Sequence, residues 1–146
     1  MHADIGFGVA VGDWQVCNAI WCLDEFTVEL GASRVVPRSH LWSATPIELM
    51  ENPDAAHPAE VSVVAAAGSC VAFNSHLWHG GTANNGNQVR RALHSFFTLG
   101  GNMQQTDMQQ HLSEAVYNRL SHAQRVMLDV VDPTALVQGP SLGAKL

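Results

Sequence analysis

Cysteine, positive charge and long apolar runs are all scarce in this sequence, and each shortage removes a class of protein. Cys17, Cys22 and Cys70 are odd in number and none shows CxxC spacing. That argues against a disulfide framework or a thiolate zinc site; buried thiols in a reducing compartment fit, and the cytoplasm is the expected location. Seven Lys and Arg stand against thirteen Asp and Glu, a formal charge of −6, without a basic cluster. Neither a nucleic-acid partner nor a polybasic membrane patch is expected. No apolar run approaches the ~18 residues of a membrane span. The opening "MHADIGFG" has no positive region and no apolar core, so no signal peptide is expected.

What is present suits one domain: 146 residues, 47% hydrophobic and only 14% charged, enough apolar material for a core. No internal repeat or low-complexity linker breaks the chain. Its first two thirds read as strands between turns. "DWQVCNAIWCLDEFT" is rich in β-branched and aromatic residues. "SRVVPRSH" is a short strand stopped by Pro37, and "EVSVVAA" one stopped by a turn at Gly68. "SCVAFNSHLW", a Gly/Asn loop and "VRRALHSFFTL" follow. This spacing predicts an all-β sandwich or barrel over residues 1–103. Further on, Thr106 and Gln109 have capping-box spacing, and Leu112, Val116, Leu120, Ala123 and Met127 recur every three or four residues. The pattern predicts an amphipathic helix within 104–131, packed on the sheet by one face and ended near Asp132-Pro133. A homodimer contact is the alternative use of that stripe. Residues 132–146 are expected to form a loose tail.

Candidate chemistry lies in histidines. Strand alternation through "VAFNSHLWH" puts His76 and His79 on opposite faces, so a regular strand cannot offer both to one ion. His79, beside Gly80-Gly81, is preferred on geometry, against the bland reading of a structural strand-end histidine. A mononuclear iron(II) oxygenase site needs two histidines and one carboxylate on one side, leaving three positions open. His2 and Asp4, two apart on an extended segment, point the same way and with His79 would supply that set. Chain ends fray, so "HAD" at position 2 is expected to be either a chance pattern or the mark of a chain lacking a preceding segment. An arginine after the histidine, Arg90 or Arg91, would pair with a co-substrate carboxylate.

These residues carry a resemblance. "HADIGFG", "WCLDEFTVELGASRVVPRSH" and "AGSCVAFNSHLWHGGTANNGNQVRRALHSFFT" resemble, in order, three elements of the phytanoyl-CoA dioxygenase family of iron(II)- and 2-oxoglutarate-dependent oxygenases. They are its HxD segment, its acidic turn with the E-N-G-A and V-P-G-S-H elements, and its distal-His and Arg-bearing strands. The likeness covers about residues 2 to 99. It implies an incomplete double-stranded β-helix (jelly-roll, cupin-like) with a C-terminal helix, its N-terminal part missing. It further implies iron(II) held by His2, Asp4 and His79, with no catalytic residue beyond that metal site. Arg90, eleven residues past the distal His, would hold 2-oxoglutarate as co-substrate. The implied reaction is hydroxylation of a small organic molecule by molecular oxygen.

Departures from the family pattern are local, apart from the missing portion before HxD. Arg38 replaces the signature glycine, which asks for a different turn or a side chain reaching elsewhere, and Leu30 replaces the Asn of E-N-G-A. Gly81 stands where a hydroxyl often helps hold the co-substrate, with Thr82 as stand-in. His40 reads as structural, Trp14, Trp21, Trp42 and Trp78 as core or pocket wall, and Asp24-Glu25 as a solvated turn. Two other functional classes stand beside the oxygenase: a non-catalytic barrel-like binding or regulatory domain, and an inactive truncated product.

Overall fold

The β-branched and aromatic content of "VCNAIWC" favours extended backbone, and Val16–Cys22 forms β1, the central strand of the larger sheet. The computed structural model describes residues 1–4, 10 and 12–131. Strands β2 (Arg34–Val35), β3 (Val61–Ser62), β4 (Cys70–Asn74), β5 (His79–Gly80) and β6 (Ala92–Thr98) follow. A 3-10 turn at Ser39–Leu41 and a short helix, α1 (Pro46–Leu49), lie between β2 and β3. The strands make two antiparallel three-stranded sheets, ordered β4-β1-β6 and β3-β2-β5. The fold is the mainly β, incomplete jelly-roll expected.

Residues directly opposite in an antiparallel pair share a face. Asn18 and Ile20 of β1 therefore lie beside Phe73 and Val71 of β4 and beside Phe96 and His94 of β6. This inner face feeds a cluster of Ile20, Cys22, Phe26 and Ala32, packed by Val71, Phe73 and Ala92. The outer face leaves Trp21, Leu93 and Phe97 about half exposed. A second cluster joins Met1, Val36 and Trp78. Of the four tryptophans only Trp78 is core; Trp14, Trp21 and Trp42 are each at least 40% exposed. Trp42 does line a wall, that of an open cavity shared with Met50, His57 and Trp78.

One strand ends earlier than its sequence suggests. After Asn74 the chain turns: the Asn74 carbonyl accepts from Leu77 N–H (2.9 Å) and its side-chain oxygen from His76 N–H (2.9 Å). The chain then crosses to the other sheet at His79. Alternation from Val71 to His79 therefore does not hold, and His76 and His79 are separated by a turn rather than by opposite faces of one strand.

Two tight turns carry the signature elements. Gly31 has φ +76°, and a Cβ there would lie 2.8 Å from the Thr82 carbonyl oxygen and 3.0 Å from the Asn84 nitrogen. The Thr82 hydroxyl donates to the Ala32 carbonyl (2.7 Å) across the same contact. Leu30 packs its Cδ2 under Gly86. Arg38, in place of the signature glycine, adopts the left-handed conformation at φ 68°, ψ 0°. An exposed arginine thus stands in a turn that glycine would favour, and bears its strain.

From Gly101 the chain forms a second compact unit. The single helix expected over 104–131 is instead three short ones: α2 (Met108–His111), α3 (Glu114–Tyr117) and α4 (His122–Met127). Asp107, Ser113 and Ser121 each turn a side-chain oxygen onto the backbone N–H groups of a new first turn, so helix restarts at each. Asp107, not Thr106, caps the first, and the capping box forms between Ser121 and Gln124. Met127 of the expected apolar stripe is 72% exposed, while Tyr117 and Val130 are buried. The Arg125 guanidinium lies 4.0 Å over the Tyr117 ring and donates to its hydroxyl (3.2 Å). The expected helix end at Asp132-Pro133 and the tail 132–146 fall outside the described residues, among which no helix is long and apolar enough to cross a membrane.

The two turns respond oppositely to substitution. Gly31→Ala should cost about 2 kcal/mol through left-handed strain and the Thr82 clash. Arg38→Gly should add about 1 kcal/mol, because it relieves the same strain in the open. Urea unfolding of the two variants measures both.

Candidate metal centre

The N-terminal segment is held by backbone pairing. His2 N–H donates to the His79 carbonyl (2.8 Å) and His79 N–H to the His2 carbonyl (2.9 Å), an antiparallel bridge beside β5. Asp4 N–H donates to the Ser75 carbonyl (3.0 Å), and Met1 buries its side chain with Val36 and Trp78. A frayed end was the bland alternative for His2 and Asp4; residues 1–4 are pinned on both sides. The rest of "HADIGFG", residues 5–8, lies outside the described residues.

His79 is placed by the "VPRSH" turn. The buried Ser39 hydroxyl donates to the Val36 carbonyl (2.7 Å) and accepts the Trp78 N–H (2.7 Å), while Val36 N–H donates to the Trp78 carbonyl (2.9 Å). These bonds fix the backbone one residue before His79. Its Nδ1 lies 2.7 Å from the Leu77 carbonyl, which can only accept, so Nδ1 carries the proton and Nε2 presents a lone pair. His40 stacks edge-on to Trp14, with centroids 5.4 Å apart, in keeping with a structural role.

Three groups converge as a result. Asp4 Oδ1 lies 3.5 Å from His2 Nε2 and 3.7 Å from His79 Nε2, and one ligand atom from each residue falls within 4.8 Å of the others. A metal about 2.1 Å from each, at right angles, wants roughly 3 Å between ligand atoms. Small side-chain rotations close that difference, so the donor set fits one divalent ion. The Asp4 and His79 side chains are 9% and 13% exposed, and that of His2 61%. Burial pushes the Asp4 carboxyl up, yet the His2 hydrogen bond, the charges of His79 and His2 and the Asn18 amide together hold it below its ordinary value. Burial above all holds His79 below its ordinary 6.5, against the Leu77 carbonyl and the Asp4 charge. An ionised carboxylate and a neutral imidazole are the forms a metal requires.

The two arginines divide sharply. Arg91 pairs with Asp24 through Nε (2.8 Å) and a second nitrogen (2.9 Å), and its N–H also donates to that carboxylate (2.7 Å). The Arg91 side chain draws the Asp24 carboxyl down to about 2. Asp24 is therefore an ion-paired anchor for the start of β6, not merely a solvated turn. Arg90 faces inward with its guanidinium 4.3 Å over the buried Phe26 ring, and its buried Nε has no hydrogen-bond partner among the described residues. That orphaned donor, on the inner-face side of the larger sheet, suits a carboxylate. Thr82, the stand-in hydroxyl, is committed to the Ala32 carbonyl.

Two contributors escaped the sequence reading. Asn18 donates its amide to Asp4 Oδ2, and His94 on β6 is close enough for its charge to bear on His79. The signal for Asn18 was its being the one carboxamide in an apolar strand.

Known proteins resemble this chain in the same region. An uncharacterized protein of Mycobacterium tuberculosis is 37% identical over 101 residues, which is 68% of this chain and 34% of that protein. A protein of Aspergillus terreus named dioxygenase trt7 is 40% identical over 81 residues, 52% of this chain and 24% of its own length. The chain thus spans about a third or less of these relatives. The crystal structure of EvdMO1 superposes with a TM-score of 0.55 at 27% identity, covering 68% of this chain and 23% of that one. The phytanoyl-CoA dioxygenase (PhyH) profile matches residues 1–92, the stretch that holds His2, Asp4, His79 and Arg90, and the chain belongs to that family.

Proposed function

We propose that this chain carries the iron(II)- and 2-oxoglutarate-binding site of a dioxygenase that hydroxylates a small organic molecule. One observation carries the reading: His2, Asp4 and His79 converge within 4.8 Å, while Arg90 keeps a buried, unbonded Nε turned inward. Family membership and relatives named dioxygenases support it.

In this reading His2 Nε2, His79 Nε2 and Asp4 Oδ1 hold the metal from one side. Arg90 pairs with the far carboxylate of 2-oxoglutarate, its planar fork stiffened by the Phe26 ring beneath it. When bound, iron(II) would activate molecular oxygen, the oxidant, while 2-oxoglutarate would supply two of the electrons for its reduction and leave as succinate and carbon dioxide. The protein's part is to orient these groups and keep water from them. Phe73, whose ring meets His79 edge-on at 5.0 Å, and Phe26 form apolar walls for that purpose. Asp4 stays ionised and both histidines stay neutral while the metal is held.

Succinate formation from 2-oxoglutarate, with iron(II) and oxygen, tests the activity. Arg90→Gln should raise the 2-oxoglutarate concentration needed by at least about tenfold, and Arg91→Gln should leave it near wild type, since losing a charge-assisted pair costs about 1.5–3 kcal/mol. Equal effects would sink the assignment, and binding of iron and co-substrate without succinate would identify a non-catalytic domain. Metal affinity should fall between pH 7 and pH 5 as protons compete for the histidines. In the metal-free chain the folded pKa of His79 lies below 6.5, so its contribution to stability is present above pH 6.5 and lost as pH falls through the folded value. Isothermal titration at the two pH values reads the affinity, and an unchanged value counts against this ligand set.

A further inference from the structure

Asn18 is out of place by composition. It is the only carboxamide in the strand "VCNAIWC", 8% exposed, on a face shared with Ile20, Phe73 and Phe96. Asn is a poor strand former, and burying its amide without a partner is costly. The amide's partner is Asp4 Oδ2. The other carboxylate oxygen, Oδ1, is the one facing both histidine Nε2 atoms, at 3.5 and 3.7 Å.

We propose that Asn18 is the positioning residue for Asp4: by capping Oδ2 it presents Oδ1 alone to the metal and holds the carboxylate to one-oxygen attachment. This rests on the metal site proposed above. The physical reasoning is geometric. An uncapped carboxylate can rotate about χ2 and offer both oxygens, which takes a second coordination position. A capped one has spent Oδ2 on a donor anchored in the central strand, where pairing on both sides leaves β1 little freedom to follow. One-oxygen attachment would leave more of the ion free for a co-substrate. Hydrogen-bonded partners of metal ligands typically govern affinity by about 10- to 100-fold.

Cobalt(II) is the probe, because its visible d–d absorption reports the ligands around the ion without any turnover. Asn18→Leu keeps the branching of the side chain, with somewhat greater bulk, and removes the donor. The full-length variant should unfold as cooperatively as wild type, bind cobalt(II) about 10- to 100-fold more weakly, and show d–d bands shifted in position as the second carboxylate oxygen replaces a water. If Asn18→Leu does not fold, Asn18→Ser, too short to reach Asp4, is read in the same way. A merely structural role would change the thermal midpoint and leave the spectrum of the folded fraction untouched. Wild-type affinity and spectrum in a folded Asn18 variant overturn the proposal while leaving the metal site standing. Absence of cobalt(II) binding by the wild-type chain overturns the metal site itself, and this inference with it.

Discussion

Everything in the candidate site depends on the reciprocal backbone bridge between His2 and His79. Two hydrogen bonds of 2.8 and 2.9 Å hold residues 77 apart in sequence at one register, and their rings lie with centroids 4.2 Å apart. Because His2 is fixed, Asp4 two residues later falls against Ser75 and reaches Asn18 in the larger sheet. His79 belongs to the smaller sheet. The three candidate ligands therefore stand where the two sheets meet, each tied to its neighbours by backbone as well as by side chain. Closure of the loop between residues 2 and 79 costs entropy that grows only slowly with length, and the burial of Met1 with Val36 and Trp78 helps offset it.

The site is polarised by an apolar setting. Phe26 and Phe73 lie beside Arg90 and His79 respectively, so each charged or titratable group meets a ring instead of water. In such surroundings an unpaired guanidinium Nε is a standing cost, and a buried imidazole resists protonation. Arg91, one residue on, faces solvent and settles its charge on Asp24. The alternation of a strand start thus separates an inward arginine from an outward one, and of the two it is the inward one whose Nε lacks a partner among the described residues.

Much of this was legible in the residues. HxD spacing placed His2 and Asp4 on one side of an extended segment, and the β-branched content of "VCNAIWC" marked the central strand. What failed, failed for tertiary reasons. "VAFNSHLWH" reads as one strand because every residue in it tolerates extension, yet Asn74 caps a turn and the chain changes sheets before His79. The 112–127 stripe reads as one helix because its spacing is helical, while Ser113 and Ser121 cap new first turns within it. Arg38 shows the limit of reasoning from residue type: a glycine-favouring turn persists with an arginine in it, held by the Ser39 contacts with Val36 and Trp78. The lone carboxamide of β1 signalled that Asn18 has a polar partner, but not which one, because Asp4 lies fourteen residues away and no spacing rule pairs the two.

The central claim is that one metal ion and one 2-oxoacid bind together at His2, Asp4, His79 and Arg90. Anaerobic titration of the purified chain with iron(II) and 2-oxoglutarate tests it most directly, by the visible charge-transfer band that the chelated pair produces. The account predicts a band that saturates at one equivalent of each and disappears in His79→Ala. A folded wild-type chain that gives no band, or a band that survives in His79→Ala, would contradict it.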